Sequence, residues 1–328
     1  MGTVSIFVPI PKVTKLELVF RDEVYLAGQN IDGEVILELS DTLFLYSLKL
    51  KFAGKGFVEW IEETDQSLDY TRAVHCSNKE DYFHHILTLW GADHDAEGLE
   101  QVLVAGPHSF QFNYKLSSDI PSSFTSKHGK IRYYLRAFCT AVSGTLAQVE
   151  KELRVQETYN LNLDPQTKLP VMVEAEKGVS YLCWTFPGIS LRVSIDKGGF
   201  VPGEEVIITS HINNRTPKNV KSISYSLYSE IKYKAFIQEA FCDHFREFVE
   251  KMTMIKTNPT VDIPPRNDTK IVGLLQLPSP LIVSDMSRCR IISVQYWLVV
   301  AISIPGTRTS VSVSAPIKIG TTPVQLYK

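Results

Sequence analysis

From Gly106 to Cys139 the chain reads GPHSFQFNYKLSSDIPSSFTSKHGKIRYYLRAFC, and residue character changes at every second position. Phe110, Phe112, Tyr114 and Leu116 alternate with Gln111, Asn113 and Lys115. Further on, Ile131, Tyr133, Leu135 and Ala137 alternate with Arg132, Tyr134 and Arg136. Successive side chains of a strand point to opposite faces, so each half reads as a half-buried strand. Pro121 and the Ser/Thr cluster after it stop the ladder between them, and Gly129 reopens the chain.

The same period recurs along the chain. Leu16, Leu18 and Phe20 share one face, and so do Val35, Leu37 and Leu39. Leu48, Leu50 and Phe52 alternate with Ser47, Lys49 and Lys51. Later come Leu191, Val193 and Ile195, then Ile223, Tyr225, Leu227, Ile231 and Tyr233. The longest alternation is Ile292, Val294, Tyr296, Leu298 and Val300; Ile291, Trp297 and Val299 make its other face apolar too, as in a central strand covered on both sides. Strands of this kind separated by Gly, Asp and Ser turns predict antiparallel β-sandwiches.

Their order repeats. A glycine turn feeds an apolar strand at Gly28–Leu39 and again at Gly203–Ile212, and a late Tyr-bearing strand closes each half. A period this long marks a duplicated domain rather than a solenoid, and 328 residues are enough for two cores. The expected architecture is all-β: two tandem immunoglobulin-like antiparallel β-sandwiches. The first should cover residues 1–157 and the second 180–322, with a linker at 158–179 and residues 323–328 as the C-terminal end. Residues 62–78 are polar and aperiodic and read as a loop. Residues 99–104 fit a short helix or a strand equally. Ile237, Phe241, Phe245, Phe248 and Met252 recur at helical spacing.

A hydrophobic share of 44% and a charged share of 21% are those of an ordinary globular protein. The net charge of -2 argues against a nucleic-acid partner. No apolar run approaches the roughly 20 residues that span a bilayer, and no secretory signal opens the sequence. Cys76, Cys139, Cys183, Cys242 and Cys289 are odd in number and scattered, as free thiols in a reducing compartment are. On that reading the sequons at Asn214 and Asn267 are chance matches and carry no glycan.

Several runs together resemble one family. F-Q-F-x-Y-x-L followed by P-S-S-F-x-x-x-x-G-K-I-R-Y-Y-L resembles the N-terminal arrestin domain of the α-arrestins. VYLAGQNIDGEVILEL, SLKLKFAGKGFVEW and EDYFHHILTLWG are similar to other parts of that domain; GGFVPGEEVIITSHINN, RCRIISVQYWLVV and APIKIGTTP resemble the second arrestin domain. The resemblance implies a non-enzymatic adaptor that links the cytoplasmic tails of membrane proteins to endocytic and ubiquitination machinery. It would be cytoplasmic, and peripheral at the plasma membrane and endosomes. It also implies strands, not a helix, over 236–254. A retromer-type scaffold subunit with the same fold is the alternative. Family members recruit ubiquitin ligases through PPxY, but the one Pro-Pro pair, Pro264-Pro265, is followed by Arg266 and Asn267. Recruitment through that motif is therefore not expected from these residues, which implies that a tail was removed or that this member has none.

For catalysis the residues offer no nucleophile elbow, no HExxH and no phosphate loop. His75-Cys76, His84-His85 and His94-Asp95 are zinc-ligand types, but their spacing fits no common site, so neither a metal nor another cofactor is expected, and a zinc or thiol enzyme is the remote alternative. Cys242 lies near the place where one relative bonds thioredoxin, yet AFCDHF does not resemble that motif. The best candidate for partner binding is the row Lys130, Arg132, Tyr134 and Arg136. Such a row could hold an acidic or phosphorylated tail through guanidinium contacts, or be an ordinary solvated face.

Overall fold

The computed structural model describes residues 12–67, 70–91, 100–181, 184–239, 242–284, 288–303 and 310–325. It divides into two compact units. The first takes Met1–Glu157, Tyr233–Arg246 and Ser287–Ile291; the second takes Thr158–Lys232, Glu247–Met286 and Ile292–Lys328.

The first unit opens with β1 (Val13–Phe20), β2 (Val24–Leu26), β3 (Asn30–Leu39), β4 (Leu43–Leu45), β5 (Ser47–Ser67) and β6 (Tyr70–Gly91). It continues with β7 (Gln101–Leu103), β8 (Gly106–Lys115), β9 (Phe124–Thr125), β10 (Gly129–Ala141) and β11 (Gly144–Gln156). One sheet runs β1-β3-β8 and the other β6-β5-β10-β11-β2. The alternating residues meet between them: Val35 and Leu37 from one side and Leu50, Phe52, Tyr133 and Leu135 from the other are all buried. Phe52 stacks on Tyr114 with ring centroids 4.0 Å apart, and Phe83 stacks on Tyr133 at 5.8 Å. Each such aromatic residue contributes about 2 kcal/mol or more by leaving water. The Tyr133 hydroxyl donates to the Pro121 carbonyl at 2.6 Å, which ties the break before β10 to the core.

The second unit begins with two 3-10 turns, Leu161–Leu163 and Pro165–Lys168. Its strands are β12 (Val171–Tyr181), β13 (Trp184–Ile195), β14 (Gly199–Phe200), β15 (Glu205–Asn214) and β16 (Val220–Glu239). Then come β17 (Cys242–Thr257), β18 (Thr260–Ile263), β19 (Asn267–Gln276), β20 (Ile292–Ser303) and β21 (Ser310–Ile319). One sheet runs β12-β13-β15-β19; facing it, β14-β21-β20-β16 carries β18 on β16. The far end of β16 belongs to the first unit, where Phe236 and Ile237 pair with Ser77 and Cys76 of β6.

The two units repeat one device. Gly28 (φ +87) and Gly203 (φ +80) each hold the third position of a four-residue turn, a place that needs positive φ. In one turn Gln29 N–H donates to Leu26 O and the Gln29 side chain accepts from Leu26 N–H; in the other, Glu204 does the same with Val201. Each turn lies beside a short parallel pairing, β2 with β11 and β14 with β21. Both units are antiparallel sandwiches built on one plan.

Two expectations are corrected, and the strands implied over 236–254 are present among the described residues. Residues 62–78 are not a loop: among the described residues β5 and β6 stay paired out to Ser67 and Tyr70. Backbone hydrogen bonds hold that ladder whatever the side-chain pattern, and Trp60, Val74, Cys76 and Ile237 are buried on one face of it. The stretch expected as a linker holds β12, which pairs with β13 from Val171↔Ile195 to Tyr181↔Trp184. The helical spacing through Ile237–Met252 belongs to β16 and β17, not to a helix. Residues 101–103, which fit helix and strand equally by sequence, form β7.

Asn214 is fully buried at the end of β15. Its amide nitrogen lies 2.9, 3.2 and 3.0 Å from the carbonyls of Lys218, Ile263 and Pro264, and its oxygen accepts from the Thr216 N–H and hydroxyl. The sequon is a structural corner.

Candidate functional site

β10 places the four candidate residues. Its inward residues, Ile131, Tyr133, Leu135, Ala137 and Cys139, fill the core, so Lys130, Arg132, Tyr134 and Arg136 must share the outer face. β11 returns antiparallel after the turn at Gly144, which sets Arg136 opposite Glu150 and Tyr134 opposite Glu152. On the other side β5 sets Lys55 opposite Arg132, Ala53 opposite Tyr134 and Lys51 opposite Arg136.

The row is therefore not a free cationic strip. Arg136 donates from Nε and Nη2 to one oxygen of Glu150 at 2.8 and 2.6 Å, and Arg132 donates to the other at 2.7 Å. Glu152 accepts from Lys130 at 3.0 Å and lies 3.5 Å from Arg132. The Arg132 guanidinium sits 4.5 Å and that of Arg136 5.6 Å from the centroid of the Tyr134 ring, which leaves Tyr134 only 5% exposed. Tyr134 is a platform for guanidinium groups, not a contact residue.

Across β5, Lys55 pairs with Asp81 at 3.3 Å, while Lys51 has no carboxylate partner among the described residues. Around the row, the cations Lys51, Lys55, Lys130, Arg132 and Arg136 stand beside three carboxylates, Asp81, Glu150 and Glu152. A half-exposed network of this kind keeps its guanidinium groups oriented and pre-ordered, and an approaching anion meets a positive surface. The carboxylates Glu150 and Glu152 were missed as partners. Their signal was present in the Glu-Lys-Glu alternation of 150–152, once Gly144 is taken as the turn of a hairpin.

The other candidates are dispersed. His75 pairs with Glu59 at 2.6 Å, Cys76 is buried, and His85 stacks against Tyr114 with ring centroids 5.5 Å apart. His94 and Asp95 lie outside the described residues; among those described, no three His, Cys, Asp or Glu groups come together to hold a metal. Cys76, Cys139 and Cys289 are free and buried. Burial pushes the Cys139 thiol up to about 12 and raises that of Cys76, the reverse of what a thiolate nucleophile needs. Cys183 and the side chain of Cys242 lie outside the described residues. Among the described residues no helix is long and apolar enough to cross a membrane.

Comparison with known proteins places the chain. The family "Arrestin (or S-antigen), N-terminal domain" matches residues 14–162, and "Arrestin (or S-antigen), C-terminal domain" matches residues 188–324. Arrestin domain-containing protein 5 of Bos taurus is 38% identical over 316 residues, 95% of this chain and 92% of that protein. The Homo sapiens protein of the same name is 35% identical, over 95% of this chain and 89% of its own length. Arrestin domain-containing protein 4 of Homo sapiens is 29% identical over 95% of this chain but 72% of its own. On two domain matches and relatives aligned over nearly its whole length, the chain belongs to the arrestin family as an arrestin-domain-containing protein of the α-arrestin kind.

Proposed function

We propose that this arrestin-family adaptor is non-enzymatic and links the cytoplasmic tails of membrane proteins to endocytic trafficking and ubiquitination machinery. It works in the cytoplasm, peripherally at the plasma membrane and endosomes. The observation that supports the reading is the cationic face of β10 and β5, where Lys51 has no carboxylate partner among the described residues and Arg132 and Arg136 sit over the Tyr134 ring. Cytoplasmic tails with acidic or phosphorylated stretches are extended and anionic. They complement a face of this charge without needing a deep pocket.

Neutralising the two lysines that stand across from the arginines tests it. K51A/K55A adds no carboxylate beside the arginine network and should weaken binding of an acidic tail peptide by at least tenfold, with the loss shrinking as salt is raised. Proximity labelling in cells should then show membrane proteins lost from the neighbourhood of the variant. Unchanged peptide affinity and unchanged neighbours would remove this face from the account.

A further inference from the structure

A second site lies in the other unit and does not depend on charge. β19 ends its sheet: β15 pairs with it from Glu205↔Gln276 to Asn214↔Asn267, and among the described residues no strand pairs with its opposite edge. Open edges are usually blunted by charge or proline. β12, at the far side of the same sheet, carries Glu174, Glu176 and Lys177; β1 carries Lys15 and Glu17; β8 carries Pro107, His108 and Lys115. β19 has Asp268 and Lys270 at its start, and then Ile271–Gln276 runs uncharged to its end.

Beside this edge a groove of about 610 Å³ opens between Ile271–Leu274 and the segment Thr257–Val261. None of its lining residues is charged. The floor includes Tyr225, which is 1% exposed and packs so closely under the centre of β19 that a Cβ on Gly273 would meet its ring at 2.4 Å. The Tyr225 hydroxyl is buried beside the Ser210 hydroxyl. On the outer face of the same edge, Val272 and Leu274 are 58% and 55% exposed, with Ile207 beside Leu274 across the ladder.

We propose that the open edge of β19 docks an extended, uncharged peptide segment of a partner protein as a fifth strand. The segment's backbone takes the free hydrogen-bonding groups of β19. Side chains alternate along it, so one set lies over Val272 and Leu274 while the other dips between the sheets. A charged residue there would lose its water with no counter-charge in the lining, so the site selects against acidic and basic segments. The partner's segment is thus chemically unlike the anionic tails assigned to the β10 face.

The pure full chain is used as bait for a displayed library of 12-residue peptides, and enriched peptides are resynthesised. The expected result is an uncharged run of four or more residues in the enriched set. Affinity should fall at least tenfold with V272K/L274K. Val272 and Leu274 face solvent, so the double variant should keep the wild-type melting temperature. Failure to enrich any peptide, enrichment of charged peptides, or undiminished binding to V272K/L274K would overturn the proposal. So would a wild-type dimer in sedimentation that V272K/L274K dissolves, because the edge would then be filled by a second copy of this chain.

Discussion

Glu150 stands directly across the β10–β11 ladder from Arg136 and accepts two of its protons on one carboxylate oxygen, while its other oxygen accepts from Arg132. One carboxylate therefore holds both guanidinium groups that flank Tyr134. Glu150→Ala would leave two half-exposed cations side by side without it. The side chains are a quarter to two-fifths exposed, and solvent screening limits the loss to about 1–2 kcal/mol in urea unfolding. A double-mutant cycle with Arg136→Ala should give a coupling of about 1 kcal/mol. The freed arginines should also bind an acidic tail peptide more tightly than the wild type does. A cycle coupling near zero would show that the network orients nothing.

Asn214→Ala should cost about 2–3 kcal/mol, because it strips partners from the carbonyls of Lys218, Ile263 and Pro264 and from Thr216 in a dry corner. Thermal melting of the full chain reads the loss. Intact mass of the protein made in a eukaryotic host should show no glycan at Asn214, since its amide nitrogen is enclosed in the folded chain. A hexose ladder assigned to Asn214 would contradict the buried corner.

Alkali should unfold the protein before mild acid does. Burial holds the Cys139 thiol and the Tyr296 hydroxyl up to about 12, against ordinary values of 9.0 and 10.0, and raises Tyr133 and Tyr82 as well. Each raised group favours the folded state fully below its unfolded value and loses that contribution as pH climbs through its folded one. The melting temperature should therefore be level up to about pH 9 and fall between about 9 and 12. Over the same range, native Cys76, Cys139 and Cys289 should react with Ellman's reagent only once unfolding begins. Rapid modification of more than two of the five thiols at pH 8 in the folded protein would show that these three are not enclosed.

WW domains read short proline-rich strands, so affinity for them resides in the motif rather than in the sandwich. Pro264-Pro265 here ends β18, with the Pro264 carbonyl turned to Asn214 and Arg266 in a left-handed conformation (φ +51). The 328-residue chain should show no measurable affinity for the WW modules of a HECT-type ligase. A PPxY peptide fused after Lys328 should create it. Low-micromolar binding by the unfused chain would require a direct contact between domains.

Period-two patterning made most of the strands legible, because a strand buried on one face must alternate: β8, β10, β13 and β20 lie where Phe110, Tyr133, Leu191 and Tyr296 place them. It failed where another force holds the strand. The far half of the β5–β6 hairpin is carried by its backbone ladder, and β12 mixes Met172, Glu174 and Glu176 on a wet edge, so neither stretch shows a dry stripe. In β16 and β17 phenylalanines on both faces imitate a helical period; Phe236 and Phe245 meet edge to face with centroids 6.0 Å apart across two strands. The cationic row was visible in β10 alone, but its neutralisation depends on register, and register needs the turn at Gly144 as well as the strand. The β19 groove left no trace in the sequence, since an open edge is a property of what fails to pair with it.

The first unit is discontinuous in sequence, and this sets an order of events during synthesis. Residues 1–157 emerge from the ribosome early, but Tyr233, whose hydroxyl donates to Ser126, and Cys289, which accepts from the Tyr82 hydroxyl, belong to the same unit. At about 5–20 residues per second the nascent chain waits on the order of ten seconds for them. During that interval the Tyr82–Tyr133 side of the half-made sandwich lacks Cys289 against it, and a nascent-chain chaperone has its window. A polypeptide ending at Glu157 would be held in that unfinished state permanently.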